Sequence, residues 1–431
     1  MGSGDLQRGR GVMRSSVAAL VGAVLAILGA TGTTRAAPVE IDYWQYFFKE
    51  RVEAMDALIK QFEAANPDIK VKQTTFPYAD YQTKVAAAIP AGEGPDVVQL
   101  FYGWLAQYMK AGLLQKLPAD AFNPADIDRD FFPIVRNMKI DGQYYALPTA
   151  VRSLALFWNK KLFTEAGLDP DKPPQTLDEL VEMARKLTKR DAAGNLLIEG
   201  MTADLTAQDP HWIREVLVRQ FGGQPYSNDN KTVAYNSEAG VKAVTWYENL
   251  IGKEKVAEIG FLTDQPTAFK SGKAGITIDG SFRLGAFDGQ RGLEYGVAEL
   301  PAHNGKRSNF SSYWVNGITS KAKDAKRDAA IKFLKFVTTP DAMELWLHTV
   351  GELPARVVAA AKESNRNDPK YGPFIRGLDY AHATDFVDEL AQRKVIIDLF
   401  DRITLQKTSP ADAVRIAAEQ EQKILDAYYK K

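Results

Sequence analysis

The sequence predicts an α/β protein of two domains, and three observations carry that expectation. Strands alternate with amphipathic helices through the first part of the chain, the pattern of helices laid over a parallel sheet. The length, 431 residues, is that of two domains at roughly 100–200 residues each. From Lys326 onward the apolar periodicity is almost wholly helical.

Val39-Glu40-Ile41-Asp42-Tyr43-Trp44 alternates and is rich in β-forming side chains, so it reads as a strand. Val52, Met55, Leu58, Ile59 and Phe62 then recur at helical spacing until Asn66-Pro67 ends the helix, because a residue before proline is pushed out of the helical region. Residues 69–74 form the second strand of a β-α-β unit. A helix over residues 81–89 stops at Pro90 and Gly92, and Gly94-Pro95-Asp96 turns the chain into a short strand, Val97-Val98-Gln99. Thr176-Leu177-Asp178-Glu179 has capping-box spacing, with Thr176 as N-cap and Glu179 reaching back. Further strands are expected over residues 274–279, 295–300 and 314–319. Ala329, Phe333, Phe336 and Val337 share one helix face, and Pro340 restarts a helix that ends before Gly351. There is neither a solenoid-type repeat nor a low-complexity linker, so the two domains are expected to share several chain crossings.

Composition removes several function classes. Lys+Arg and Asp+Glu both total 54, which leaves no basic field for a phosphate backbone and argues against nucleic-acid binding. The absence of Cys excludes disulfides, thiolate metal sites, a Cys nucleophile and a lipid-modified N-terminal Cys. Arg8, Arg10 and Arg14 precede an apolar run over residues 17–30, and small residues follow to Ala36-Ala37. That is the grammar of a secretory signal peptide, residues 1–37, in a run shorter than the roughly 20 apolar residues that span a bilayer. His211, His303, His348 and His382 show no metal-ligand spacing, and Ser271-Gly272-Lys273-Ala274 lacks the first Gly and the final Ser/Thr of a phosphate loop. No G-x-S-x-G elbow or dinucleotide fingerprint occurs. No metal or cofactor is expected. A glycosidase, which needs only two carboxylates across a cleft, stays open at this point.

Several segments together resemble the maltose-binding-protein-like class of extracellular solute-binding proteins that serve ABC sugar importers. They are Phe62-Glu63-Ala64-Ala65-Asn66-Pro67-Asp68-Ile69-Lys70-Val71, Gly94-Pro95-Asp96-Val97-Val98, Ala111-Gly112-Leu113-Leu114 and Trp158-Asn159-Lys160-Lys161-Leu162-Phe163. The series continues with residues 269–280 and Leu353-Pro354-Ala355-Arg356. The resemblance covers essentially the whole chain after the leader. It implies a periplasmic-binding-protein-like fold of two α/β lobes with a hinge and an interlobe ligand cleft. The N-terminal lobe would comprise residues 38–153 and 300–352, and the C-terminal lobe residues 154–299 and 353–431. The implied partners are a small carbohydrate or sugar derivative and the permease subunits of an ABC transporter, for a monomeric protein of the periplasm.

Ligands of open α/β sheets bind beyond the carboxyl ends of strands, which directs attention to the loops there. Sugars present apolar faces and hydroxyl rims, so flat aromatics and a few aimed polar groups are the residues to seek. After the first strand these are Gln45, Tyr46 and Phe47; after Val97-Val98 they are Gln99, Tyr102 and Trp104. The resemblance adds Arg152, Trp212, Gly280, Ser281, Phe282, Ser312, Tyr313 and Trp314. Arg356 either reaches the ligand or pins a helix start. Ser311-Ser312-Tyr313-Trp314 stands where relatives often carry paired Gly, which narrows that side and disfavours larger oligosaccharides. Three function classes follow, in order: a transport receptor, a secreted carbohydrate-active enzyme, and an exported adhesion or structural protein. Monosaccharides, disaccharides, polyols and negatively charged sugar derivatives all remain open as ligands.

Overall fold

The computed structural model describes residues 37–205 and 207–430. The signal peptide expected over residues 1–37 lies, but for Ala37, outside the described residues.

The first β-α-β unit is as its periodicity predicts. Val39–Tyr46 pairs in parallel with Ile69–Phe76 and with Val97–Phe101. The connecting helix Lys49–Ala65 buries Ala54, Met55, Leu58, Ile59 and Phe62 and closes at Asn66, whose N–H donates to the Phe62 carbonyl. Thr176 caps the helix Leu177–Leu187, its Oγ1 accepting the Glu179 N–H at 3.1 Å. Glu179 reaches back one residue further than a standard capping box, to the Gln175 N–H at 2.7 Å. The helix Pro340–Val350 ends at Gly351, whose φ of 80° is the left-handed conformation that glycine adopts without a Cβ clash. No helix among the described residues is long and apolar enough to cross a membrane.

The sheet is mixed, which corrects the all-parallel expectation. Asn309–Ile318 runs antiparallel to both Val97–Phe101 and Ala146–Asn159, and Ala146–Asn159 runs antiparallel to Ala274–Gly280. The organising strand, Ala146–Asn159, went unread because every residue but Arg152 is buried, so it has no apolar-polar alternation to detect. Its Pro148 also argues against a central strand; the structure accommodates it where the register with Asn309–Ile318 shifts between Trp314 and Val315.

That strand serves two neighbourhoods. Residues 146–153 pair with Asn309–Ile318, and residues 154–158 pair with Ala274–Gly280. One buried cluster, including Tyr43, Leu58, Val98, Val151 and Phe333, packs around the strands of the first neighbourhood and continues through Phe157, Phe269 and Phe287 onto one side of the second. A second, including Leu156, Phe163, Trp212, Tyr247 and Leu399, packs around those of the other.

Candidate ligand-binding cavity

A cavity of about 640 Å³ collects side chains from widely separated segments. One set comprises Tyr46 at the end of Val39–Tyr46, Tyr78 and Gln82 of the helix Tyr78–Ala88, and Phe101 and Trp104 at the end of Val97–Phe101. Ser312 and Trp314 join it from Asn309–Ile318. A second set comprises Gln208 and His211, Phe282 and Arg283 just beyond Ala274–Gly280, and Glu389, Leu390 and Arg393 of the helix Glu389–Thr404. Arg152 lines the cavity from the long strand.

Trp314 is the centre of an aromatic wall. Its ring centroid lies 4.3 Å from that of Tyr46, 5.4 Å from Trp104 and 5.7 Å from Phe101. Such a wall offers apolar faces with a few polar tips, which suits a ligand that has both. Phe282 stands apart from it, its ring centre 4.7 Å from the Arg152 guanidinium and 5.1 Å from that of Arg283. A Cβ on Gly280 would meet the Phe282 ring at 2.2 Å, so the absent side chain is what lets the ring lie there.

The charged groups are held by buried partners. Glu352 accepts from Arg51 Nη1 at 2.7 and 2.9 Å, from Arg152 Nε at 2.6 Å and from Trp346 Nε1 at 2.8 Å. Burial works against its charge, yet Arg152 and Arg51 hold its carboxyl below the usual glutamate value. Arg283 pairs with the buried Asp279 at 2.8 Å, and Arg393 approaches Glu389 at 3.8 Å. Burial raises the Glu389 carboxyl, partly offset by Arg393 and Arg214. Burial and then the charges of Arg393 and Arg214 depress His211 well below the usual imidazole value, so the ring that stacks on Phe310 at 4.4 Å is neutral.

Six of the residues expected from sequence line this cavity: Tyr46, Trp104, Arg152, Phe282, Ser312 and Trp314. The others lie elsewhere; for Gln45 and Tyr313 the reason is that neighbouring residues of a strand face opposite ways. Tyr313 points away from Ser312 and Trp314, donates its hydroxyl to the Ile134 carbonyl at 2.8 Å and packs at 4.5 Å on Tyr102 behind the wall. Gln45 is buried and bonds Gln73, and Gln99 donates to the Tyr43 hydroxyl at 3.2 Å. Phe47 is 57% exposed, and its neighbour Phe48 lines the cavity instead. Trp212 is buried against Trp246 and Tyr247, with His211 in the position expected for it. Gly280 and Ser281 are buried beneath Phe282. Arg356 lines a different recess, bonding the Thr338 carbonyl at 2.7 Å and Asp130 at 3.1 Å.

Sequence reasoning missed Phe48, Tyr78, Gln82, Phe101, Gln208, Phe310, Glu389 and Arg393, and left His211 and Arg283 undecided between surface and cleft. For Phe310 the signal was present, since it shares a strand face with Ser312 and Trp314. Glu389 and Arg393 are one helical turn apart and carry no local mark of a binding role.

The model of the bacterial extracellular solute-binding protein family matches residues 57–373. The maltotriose-binding protein of Pyrococcus abyssi is 26% identical over 349 residues, covering 79% of this chain and 71% of that protein. The sn-glycerol-3-phosphate-binding periplasmic protein UgpB of Escherichia coli is 24% identical over 432 residues, covering 90% and 93%. Among solved structures, the cyclic alpha-maltosyl-1,6-maltose binding protein of Arthrobacter globiformis shares the fold, with a TM-score of 0.79 at 24% identity over 91% of this chain and 100% of that one.

Proposed function

This chain belongs to the bacterial extracellular solute-binding protein family, and on that premise we propose that it is the substrate-binding component of an ABC importer. It takes a sugar or sugar derivative into the cavity around Trp314 and delivers it to the membrane permease. The observation that carries the reading is the pairing of an aromatic wall, Tyr46, Phe101, Trp104 and Trp314, with polar groups brought from distant segments, Arg152, Gln208, Arg283 and Glu389. The names of the relatives, one binding maltotriose and one sn-glycerol 3-phosphate, support the same class of ligand.

Binding works by closure in this reading. Lobes of residues 38–153 with 300–352 and of residues 154–299 with 353–431 turn about crossings near residues 153–156, 299–301 and 351–354. A ligand touching both favours the closed form by its differential affinity, and the closed form presents the matched face to the permease. A micromolar ligand supplies about 8 kcal/mol, part of which goes into closing the lobes. The protein is exported by a cleavable signal peptide, acts as a monomer in the periplasm and turns over no substrate.

The test is intrinsic tryptophan fluorescence and melting temperature of the ligand-stripped protein across neutral and acidic sugars, polyols and short oligosaccharides. A saturable spectral change with a rise in melting temperature for one class is expected, since selective binding to the native state stabilises it. A flat response across the panel, or hydrolysis of a glycan, overturns the proposal.

A further inference from the structure

The charges beneath the cavity do not match one to one. Glu352 is the carboxylate that both Arg51 and Arg152 reach, and Arg51 and Glu352 are 1% and 3% exposed. Burial opposes the charge of Arg152, but Glu352 and the Tyr46 hydroxyl outweigh it and the guanidinium stays charged. Two guanidiniums therefore share one carboxylate in a place from which water is largely excluded, and charge interactions there are strong.

Arg51 is closed off from a ligand. Its Nη1 is committed to Glu352, and its guanidinium is covered by the rings of Tyr46 at 4.9 Å, Trp346 at 5.3 Å and Trp314 at 5.5 Å. Arg152 lines the cavity, its side chain 18% exposed, with Nε on Glu352 and Nη2 on Glu352 and the Tyr46 hydroxyl. The surplus positive charge is thus expressed at Arg152. Arg283 lies against the same Phe282 ring and is balanced by its own carboxylate, Asp279. Arg393 likewise has Glu389 near it.

We infer that the ligand carries one anionic group, a carboxylate or a phosphate, seated at Arg152 beside Phe282, where it balances the guanidinium that shares Glu352 with Arg51. This narrows the ligand class of the carbohydrate reading above and rests on it. A guanidinium suits such a group because its N–H donors form a planar fork matched to two oxygens.

The test is calorimetric titration of the ligand-stripped protein with matched pairs that differ in charge. Glucose is compared with glucuronate and with glucose 6-phosphate, galactose with galacturonate, and glycerol with glycerol 3-phosphate. In at least one pair the acidic member is expected to bind about tenfold tighter or better, and more weakly as salt rises. The uronates and the phosphates separate the two anionic groups. Arg152→Gln, which leaves Arg51 and Glu352 as a matched pair, is expected to bring the acidic member to within about threefold of its neutral partner. A neutral member that binds as tightly as its acidic partner overturns the inference and leaves the carbohydrate reading standing; so does a folded Arg152→Gln that keeps the preference. Silence of every pair while a neutral short oligosaccharide binds overturns the inference and leaves the carbohydrate reading standing; silence towards the oligosaccharides as well removes both. The comparison on the unaltered protein decides the matter even if the variant does not fold.

Discussion

The guanidinium of Arg152 lies 4.7 Å from the ring centre of Phe282, although the two residues belong to different segments. Arg152 comes from the strand Ala146–Asn159 and Phe282 from the turn after Ala274–Gly280, and the antiparallel register that sets Leu154 opposite Gly280 brings them together. A cation over an aromatic face and a ring open to the cavity are two recognition elements in one contact.

Phe282→Ala removes that face from a half-buried position. Affinity for the ligand is expected to fall about tenfold or more, the loss of an aromatic platform, with little change in melting temperature. Calorimetry on the ligand identified by the panel checks this; unchanged affinity would take Phe282 out of the site.

Glu352→Gln leaves two guanidiniums facing a neutral amide, and breaking a buried ion pair in this way costs about 3–5 kcal/mol. Because the carboxyl of Glu352 is held below its ordinary value of 4.5, its contribution is present above that pH. It is lost as pH falls through the lower folded value. Denaturant unfolding of the two proteins should show a large gap at pH 7 that narrows below pH 4.5.

Two carboxyls act in the opposite direction. Burial raises Asp209 from 3.8 to about 7 and Glu199 from 4.5 to about 9. Through this range the folded state keeps protons that the unfolded state has released, so stability falls as pH rises from about 4 towards 9. Asp209→Asn is expected to reduce the slope between about pH 4 and 7 only, and Glu199→Gln to reduce it from about pH 4.5 up to 9, removing the part above pH 7. Urea midpoints measured at unit pH steps read both slopes.

Trp212 and Arg356 separate packing from binding. Trp212→Ala empties a site that is 1% exposed and is expected to cost about 3–5 kcal/mol, while the folded fraction binds ligand with unchanged affinity. Arg356→Ala cuts contacts to Thr338 and Asp130 away from the cavity and should also leave affinity unaltered. A tenfold loss of affinity in either variant would extend the site beyond the cavity around Trp314.

Local structure and family membership were written in the sequence, because they rest on short-range physics: apolar periodicity, proline and glycine stops, and a run of turns in a fixed order. The N-cap at Thr176, the helix end at Asn66 and the C-cap at Gly351 all follow from a few adjacent residues. Of the six expected residues that line the cavity, Tyr46, Trp104 and Phe282 stand at or just beyond strand ends, whereas Arg152, Ser312 and Trp314 lie within strands and came from the family resemblance. The tertiary structure alone decided the rest. Strand direction depends on which distant segments pair, and the buried run Ala146–Asn159 carries no alternation to announce its partners. The side each residue takes depends on a register of one residue, which puts Ser312 and Trp314 in the cavity and Tyr313 behind it. The sharing of Glu352 by Arg51 and Arg152 joins three segments far apart in the chain, and no local pattern encodes a charge balance set by burial.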